Sequence, residues 1–424
     1  MERILSGLMA VLCGLFLAPT TFAALPFIEV PTGGWDPGLE ARKHYAGGMY
    51  DWVRRVKVDR TALASDRIQV DLFDDVFIIE RTPLIAREPE DVPLYVADVS
   101  THDVQRSPTS RQLWAGTIIG VRGPGGMSST VEITELGNGD LMSSFSRGHL
   151  LYQLFGDLLV RIDLRRVPNE APTVRDPYPA DPLILDKAAS PSTAVSTIRV
   201  AFGYGNGALA NGREQVFRMM EGAVEHATAG FLASGIRVEL QRAGNALPGY
   251  AESSVVQTLD DLVLGSNGPL WLVHRMRHLE KADLMLMIID TKDPESVCGQ
   301  AQRLLATKET AFAVVERRCL PNEINSLAHE IGHLLGADHD PAHASISPPK
   351  FQYGHGYQSP LNTPDRWRTV MAYDCSDRAC GRVNRWSSPR VSHNGLPAGT
   401  ARLHDNVRVL NETRATIAAF YPDP

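Results

Sequence analysis

Cysteine is scarce in this chain: five residues in 424, and none between Ala24 and Val297, so that stretch can hold no disulfide. A long Lys/Arg run is also missing. Against 49 acidic side chains there are 42 basic ones, giving a net charge of −7, and the basic residues are dispersed as on an ordinary soluble surface. A nucleic-acid-binding face needs concentrated positive charge and is therefore not expected. Beyond the first two dozen residues no apolar segment is long enough to span a bilayer, which takes roughly 20 residues. Internal repeats and strong low-complexity tracts are lacking. The 35 glycines and 28 prolines only slightly exceed common usage, which excludes collagen, coiled coil and a mainly disordered chain. Gly203-Tyr204-Gly205-Asn206-Gly207 is glycine-rich, but no Gly-Lys-Ser/Thr follows, so it reads as a turn and not a phosphate loop.

What is present suits two domains, and 43% apolar residues can bury sizeable cores. The N-terminus sets the compartment. Met1 to Arg3 carries one basic side chain, Ile4 to Leu17 is almost wholly apolar, and Thr21-Phe22-Ala23 is a small-x-small cleavage pattern. Residues 1–23 read as a signal peptide, because the apolar run is short for an anchor. The product is expected to be secreted or periplasmic, without stable membrane insertion. Cleavage removes Cys13 and leaves Cys298, Cys319, Cys375 and Cys380. An even number in an oxidising compartment suggests two disulfides. Three pairings are open, and proximity favours Cys298–Cys319 with Cys375–Cys380.

Residues 24–166 contain short alternating or apolar runs, such as Ile68 to Leu72, Leu113 to Ile119 and Leu158 to Ile162. Turn residues punctuate them at Gly123 to Gly126 and Gly137 to Asp140, which predicts a β-rich domain. Residues 167–195 are rich in proline, alanine, serine and aspartate and read as a linker. From residue 196 the pattern changes. Thr197 to Phe202, Ile236 to Leu240, Asp283 to Ile289 and Ala311 to Val315 are strand candidates. Glu214 to Ala233 and Leu270 to Ala282 are helix candidates. The alternation predicts an α/β domain, 196–424, with a mixed sheet.

The strongest signal is His329-Glu330-Ile331-Gly332-His333-Leu334-Leu335-Gly336-Ala337-Asp338-His339-Asp340. On a helix starting near Asn325, His329 and His333 lie one turn apart on one face, where two imidazoles can grip one zinc. Glu330 stands beside the first of them, able to reach a water on the metal. A helix cannot supply a third ligand from the opposite direction. Gly336 can take the left-handed conformation that ends the helix and turns His339 back. Three neutral imidazoles leave one position open, as a catalytic zinc requires. An adjacent carboxylate favours hydrolysis over a structural role. Asp338 and Asp340 do not make an EF-hand loop, so a calcium ion has no motif to support it. His355, between two glycines, is expected to line the cleft or to hold backbone.

This extended motif resembles that of the metzincin zinc endopeptidases. Thr369-Val370-Met371-Ala372-Tyr373 resembles their Met-turn, and Asp340 resembles the reprolysin branch. The runs Phe351 to Tyr357, Trp367 to Tyr373, Trp386 to Pro389 and Asn411 to Ala415 resemble bacterial enzymes of the peptidyl-Asp metalloendopeptidase type. The resemblance spans roughly 197–421 and is looser over 24–190. It implies a catalytic domain with a twisted mixed sheet above a zinc-binding active-site helix and a smaller subdomain below the cleft. It makes His329, His333 and His339 the zinc ligands and Glu330 the general base. Met371 becomes the apolar floor beneath the histidines, and Tyr373 a contact to the transition state. Residues 24–166 become a propeptide and 167–195 the processing region. Latency through a propeptide cysteine is excluded by the cysteine-free stretch, leaving an acidic residue on the zinc or plain blockage of the cleft as the inhibitory device. A protein or peptide is the expected substrate. Two alternatives stand beside it: an exported zinc hydrolase of a non-peptide amide, and a latent binding or adhesion protein retaining the zinc site.

Overall fold

The computed structural model describes residues 24–31, 50–72, 75–84, 92–97, 111–122, 128–173, 193–210, 212–291, 297–345 and 349–421. The signal segment 1–23, the Gly123–Gly126 turn and the linker prolines from Pro177 to Pro191 lie outside the described residues.

The N-terminal region supplies β1 (Leu25–Glu29), β2 (Tyr50–Arg55), β3 (Lys57–Val58), β4 (Arg67–Leu72), β5 (Asp75–Arg81), β6 (Leu94–Val96), β7 (Arg111–Arg122), β8 (Ser128–Glu135), β9 (Leu141–Arg147), β10 (Leu150–Phe155) and β11 (Leu158–Asp163). All but β6 form one ten-stranded sheet in the order β2-β11-β10-β9-β8-β7-β5-β4-β1-β3. It is antiparallel except where β1 runs parallel to β4. Strict alternation places Ile68, Val70 and Leu72 of β4 on the buried face, with Phe77, Ile79, Trp114, Val131 and Ile133.

The second half contributes β12 (Ser196–Tyr204), α1 (Arg213–Ala233), β13 (Val238–Leu247), α2 (Val255–Val263), α3 (Trp271–Leu279), β14 (Leu284–Ile289), β15 (Gly299–Ala301), β16 (Phe312–Glu316), α4 (Ser326–Leu334) and α5 (Asn406–Ile417). Its sheet has the order β15-β16-β14-β12-β13-β6. Every pairing is parallel except β15 on β16, so the sheet is mixed, with β15 at its edge. Leu284, Leu286 and Ile288 of β14 pack with α1, α4 and α5, while Met285, Met287 and Ile289 pack with α2 and α3. Cover on both faces is why β14 is continuously apolar.

The two halves are joined more closely than the sequence suggested. Strand β6, from the N-terminal region, extends the second sheet by pairing with β13. Leu151 and Ile162 of the N-terminal sheet pack against Cys298, Cys319 and Ile324. The structure pairs Cys298 with Cys319 and Cys375 with Cys380. The first disulfide ties the start of β15 to the turn after β16. The second closes the loop between Met371 and Arg382.

Candidate metal centre

Helix α4 forms because Leu327, Ala328, Ile331 and Leu334 share a core-facing stripe. Its end is set by Gly336, at φ 103°. The Gly336 amide donates to the His333 carbonyl (2.8 Å) and the Ala337 amide to the Gly332 carbonyl (2.9 Å), the paired bonds of a Schellman turn. The chain then reverses. The Asp338 amide donates to the Gly354 carbonyl (2.8 Å), and the Asp338 carboxylate accepts the His339 and Ser345 amides. His339 is thereby aimed at the helix histidines.

The three rings converge. His339 Nε2 lies 3.0 Å from Nε2 of His329 and 3.0 Å from Nε2 of His333. Each Nδ1 faces a backbone carbonyl: Val370 for His329 (2.9 Å), Ala337 for His333 (2.9 Å) and His343 for His339 (3.0 Å). A carbonyl only accepts, so each Nδ1 carries the proton and each Nε2 presents a lone pair. Three lone pairs directed at one point suit a cation. A tetrahedral zinc with ~2.0–2.1 Å bonds places its nitrogens about 3.3 Å apart, close to the separations found here. Burial pushes His329 down to about 3 despite the opposing pull of Glu170, and it also lowers His333 and His339. All three rings are thus held neutral, the form that binds metal.

Glu330 is fully buried, and neither carboxylate oxygen makes a hydrogen bond of ordinary geometry. Burial, and then the nearby Glu170 charge, hold its pKa well above the usual carboxylate range, with Arg382 and the Ala301 backbone only partly offsetting them. Gly299 leaves the space it occupies: a Cβ there would fall 2.7 Å from Glu330 Oε1.

Met371 is fully buried beneath α4, where a Cβ on Gly332 would come within 2.7 Å of its Sδ. The Tyr373 ring lies 4.3 Å, centroid to centroid, from His339. Its hydroxyl donates to the Glu170 carbonyl oxygen. Asp340 accepts the Tyr373 amide (3.1 Å) and contacts His343 Nδ1 (2.9 Å), so it links the third-histidine loop to the Met371 turn. His355 is buried and donates Nδ1 to the His339 carbonyl (2.9 Å), a backbone tie.

Sequence reasoning missed Glu170, Arg382 and Ser326. Glu170 lies in the stretch 167–195 expected to be a linker, yet its carboxylate is fully buried beside the histidines, 3.9 Å from His329 Nδ1. Both its oxygens meet the Arg382 guanidinium (2.5 and 2.7 Å), and Ser326 Oγ donates to it (2.7 Å). Burial alone would raise its pKa, but Arg382 and these hydrogen bonds hold it well below the usual range. The one local hint is Pro168-Asn169-Glu170-Ala171-Pro172, since a proline biases the residue before it to an extended backbone.

A family model described as metallo-peptidase family M12, Reprolysin_5, matches residues 208–387. A peptidyl-Asp metalloendopeptidase of Stenotrophomonas maltophilia strain R551-3 is 34% identical over 377 residues, covering 87% of this chain and 86% of that protein. A protein of the same name from Xanthomonas campestris pv. campestris is 35% identical over 268 residues, 62% of each chain. One from Pseudomonas fragi is 48% identical over 95 residues, 22% of this chain and 58% of that protein. Taken with the three-histidine cluster, which fits a catalytic zinc, these likenesses show that the chain is an enzyme of the metzincin-type M12 zinc metalloendopeptidase family.

Proposed function

We propose that His329, His333 and His339 hold the catalytic zinc, and that Glu330 is the general base in hydrolysis of internal peptide bonds. The observation that carries this reading is the convergence of three Nε2 lone pairs beside a buried carboxylate that makes no hydrogen bond of ordinary geometry. Zinc in such a site polarises a water and a carbonyl and lowers the pKa of water from ~15.7 to about 7. Glu330 takes the proton of the attacking water and passes it to the leaving amine. Met371 supports the histidines from below. The Tyr373 hydroxyl can donate to a substrate carbonyl once the Glu170 carbonyl has left it. By likeness to the peptidyl-Asp relatives, we assign a preference for acidic side chains in protein or peptide substrates.

Residues 1–23 act in this reading as a signal peptide for secretion or periplasmic export. Among the described residues no helix is long and apolar enough to cross a membrane. Residues 24–166 act as a propeptide, 167–195 include the processing region, and 196–424 form the catalytic domain. The packing of residues 169–172 against the cleft supports inhibition by the N-terminal region. Here the acidic residue sits on an arginine beside the metal centre.

The test is a matched assay of residues 24–424 and its Glu330→Gln variant on denatured protein, with every new terminus read by mass spectrometry. Wild type should make chelator-sensitive internal cuts. The variant should keep zinc and lose at least about 100-fold in rate. Full activity in the variant would remove Glu330 from the mechanism.

A further inference from the structure

Glu170 lies beside the metal centre, and the mechanism above gives it no task. Its segment follows the free edge of β15 in the same sense as that strand. The Asn169 carbonyl accepts the Cys298 amide (3.2 Å), the Ala171 amide donates to the Gly299 carbonyl (2.8 Å), and Gln300 Nε2 donates to the Pro172 carbonyl (2.8 Å). This is addition of an extended peptide to a sheet edge, in which main-chain bonds give affinity and side-chain pockets give specificity. The pocket here receives Glu170.

The pocket is built for a carboxylate. Arg382 is 7% exposed, and its guanidinium meets both Glu170 oxygens side by side, the bidentate geometry that distinguishes arginine. Arg382 also donates to the Ile324 carbonyl (2.9 Å), which fixes its direction. Its backbone is held by parallel pairing of Gly381–Arg382 with Trp367–Arg368. Arg368, buried next to it, adds positive charge, and Asp374 is 3.9 Å from Arg368. Ser326, the first residue of α4, completes the pocket three positions before His329. Removing one partner from a buried ion pair strands the other. The site therefore calls for another carboxylate when residues 169–172 depart.

We infer that Arg382 and Ser326 form the subsite that selects an acidic side chain in the substrate, and that Glu170 fills this subsite as an internal stand-in. The inference rests on the endopeptidase reading above and names the residues that set its specificity. A site built to bind a charged carboxylate rejects the isosteric amide, because the buried guanidinium is then left without its partner.

The test measures binding, separately from turnover. Zinc-loaded 24–424 protein carrying Glu170→Ala and Glu330→Gln is titrated with short fluorescent peptides identical except for one central Asp, Asn or Leu. The Asp peptide should bind at least about 30-fold more tightly than the Asn peptide. Protein retaining Glu170 should bind the Asp peptide at least tenfold more weakly than the open variant. Adding Arg382→Gln should bring Asp and Asn within about threefold of each other, with zinc content unchanged. Arg382→Lys keeps the charge, guards against a folding defect, and should leave an intermediate preference. Equal affinity for Asp and Asn in the open protein, or a preference that survives Arg382→Gln, overturns the inference. Glu170→Ala with Glu330 intact, assayed for hydrolysis of all three peptides, tests the endopeptidase reading by itself. Cutting of all three alike would retain that reading and overturn the subsite, whereas selective Asp binding without hydrolysis would do the reverse.

Discussion

Gly332→Ala is the perturbation with the clearest arithmetic. Gly332 sits on α4 between the two helix histidines. A Cβ built there falls 2.6 Å from the Trp386 ring and 2.7 Å from Met371 Sδ. Both neighbours are fully buried, and Trp386 is stacked on Phe231 with centroids 4.9 Å apart, so neither has room to withdraw. Alanine gains about 1 kcal/mol in helix propensity over glycine. Overpacking a filled core costs about 1–3 kcal/mol. We expect a net loss of about 1 kcal/mol, or about 2–4 °C in a domain of this size. Lifting α4 from its floor should also weaken zinc binding by about tenfold, the lower end of what disturbed ligand support costs. Met371→Ala alone should cost about 2–5 kcal/mol through the cavity it leaves. In that background the clash with Sδ is gone and the Trp386 ring gains room to shift into the vacated space, so the two changes should couple by about 1 kcal/mol or more. Urea unfolding in a Glu330→Gln background, with zinc and with chelator, measures both effects without self-digestion. If Gly332→Ala stabilises the Met371 protein, or costs the same with and without Met371, the packing argument is wrong.

Chelation should lower the melting temperature reversibly. At a free zinc concentration about 1,000-fold above Kd the metal contributes about 4 kcal/mol, and a scan with zinc restored measures it. Gly299→Ala should abolish turnover while zinc is retained, because its Cβ would meet Glu330 Oε1 at 2.7 Å and the Val314 carbonyl at 2.8 Å. Metal analysis beside a peptide assay checks this, and an active alanine variant would show that Glu330 can move aside. Burial holds His226 down at about 4, against an ordinary value of 6.5. Its folded pKa lies below its unfolded one, so its contribution to stability is full above about pH 6.5 and is lost as pH falls toward 4. That amounts to about 3 kcal/mol at most. Urea midpoints in excess chelator should fall less steeply with acid in His226→Gln than in its parent, and parallel curves would contradict the assignment.

The sequence made legible those parts of the fold that repeat locally. The fully apolar run of β14, the α1 periodicity and the alternation of β4 each report what covers them, and the structure has a strand or helix at each. The geometry around His329, His333 and His339 was readable for a similar reason: a helical turn and a glycine bend convert fixed spacing into convergence. Short elements defined by long-range partners were not readable. Strand β15 is three residues long and β6 is also three, and each exists because a distant strand pairs with it. Glu170 and Arg382 are 212 residues apart and carry no shared motif. Neither residue announces a carboxylate pocket until the fold brings them together.

The same distinction separates the histidines from what orients them. Each Nδ1 is fixed by a backbone carbonyl, and these come from three places: the turn after α4, the loop after His339, and the Met371 turn. Any residue supplies a carbonyl, so nothing in the side chains of Ala337, His343 or Val370 records the task. The recognisable pattern marks the positions whose backbone must take those paths: Gly336 at positive φ, and Met371 packed under Gly332. Asp340 then couples two of the three segments that supply these carbonyls by accepting the Tyr373 amide. The motif is therefore a record of chain path as much as of ligands. The Asp after the third histidine belongs to it because it joins the loop that aims His339 to the turn that aims His329.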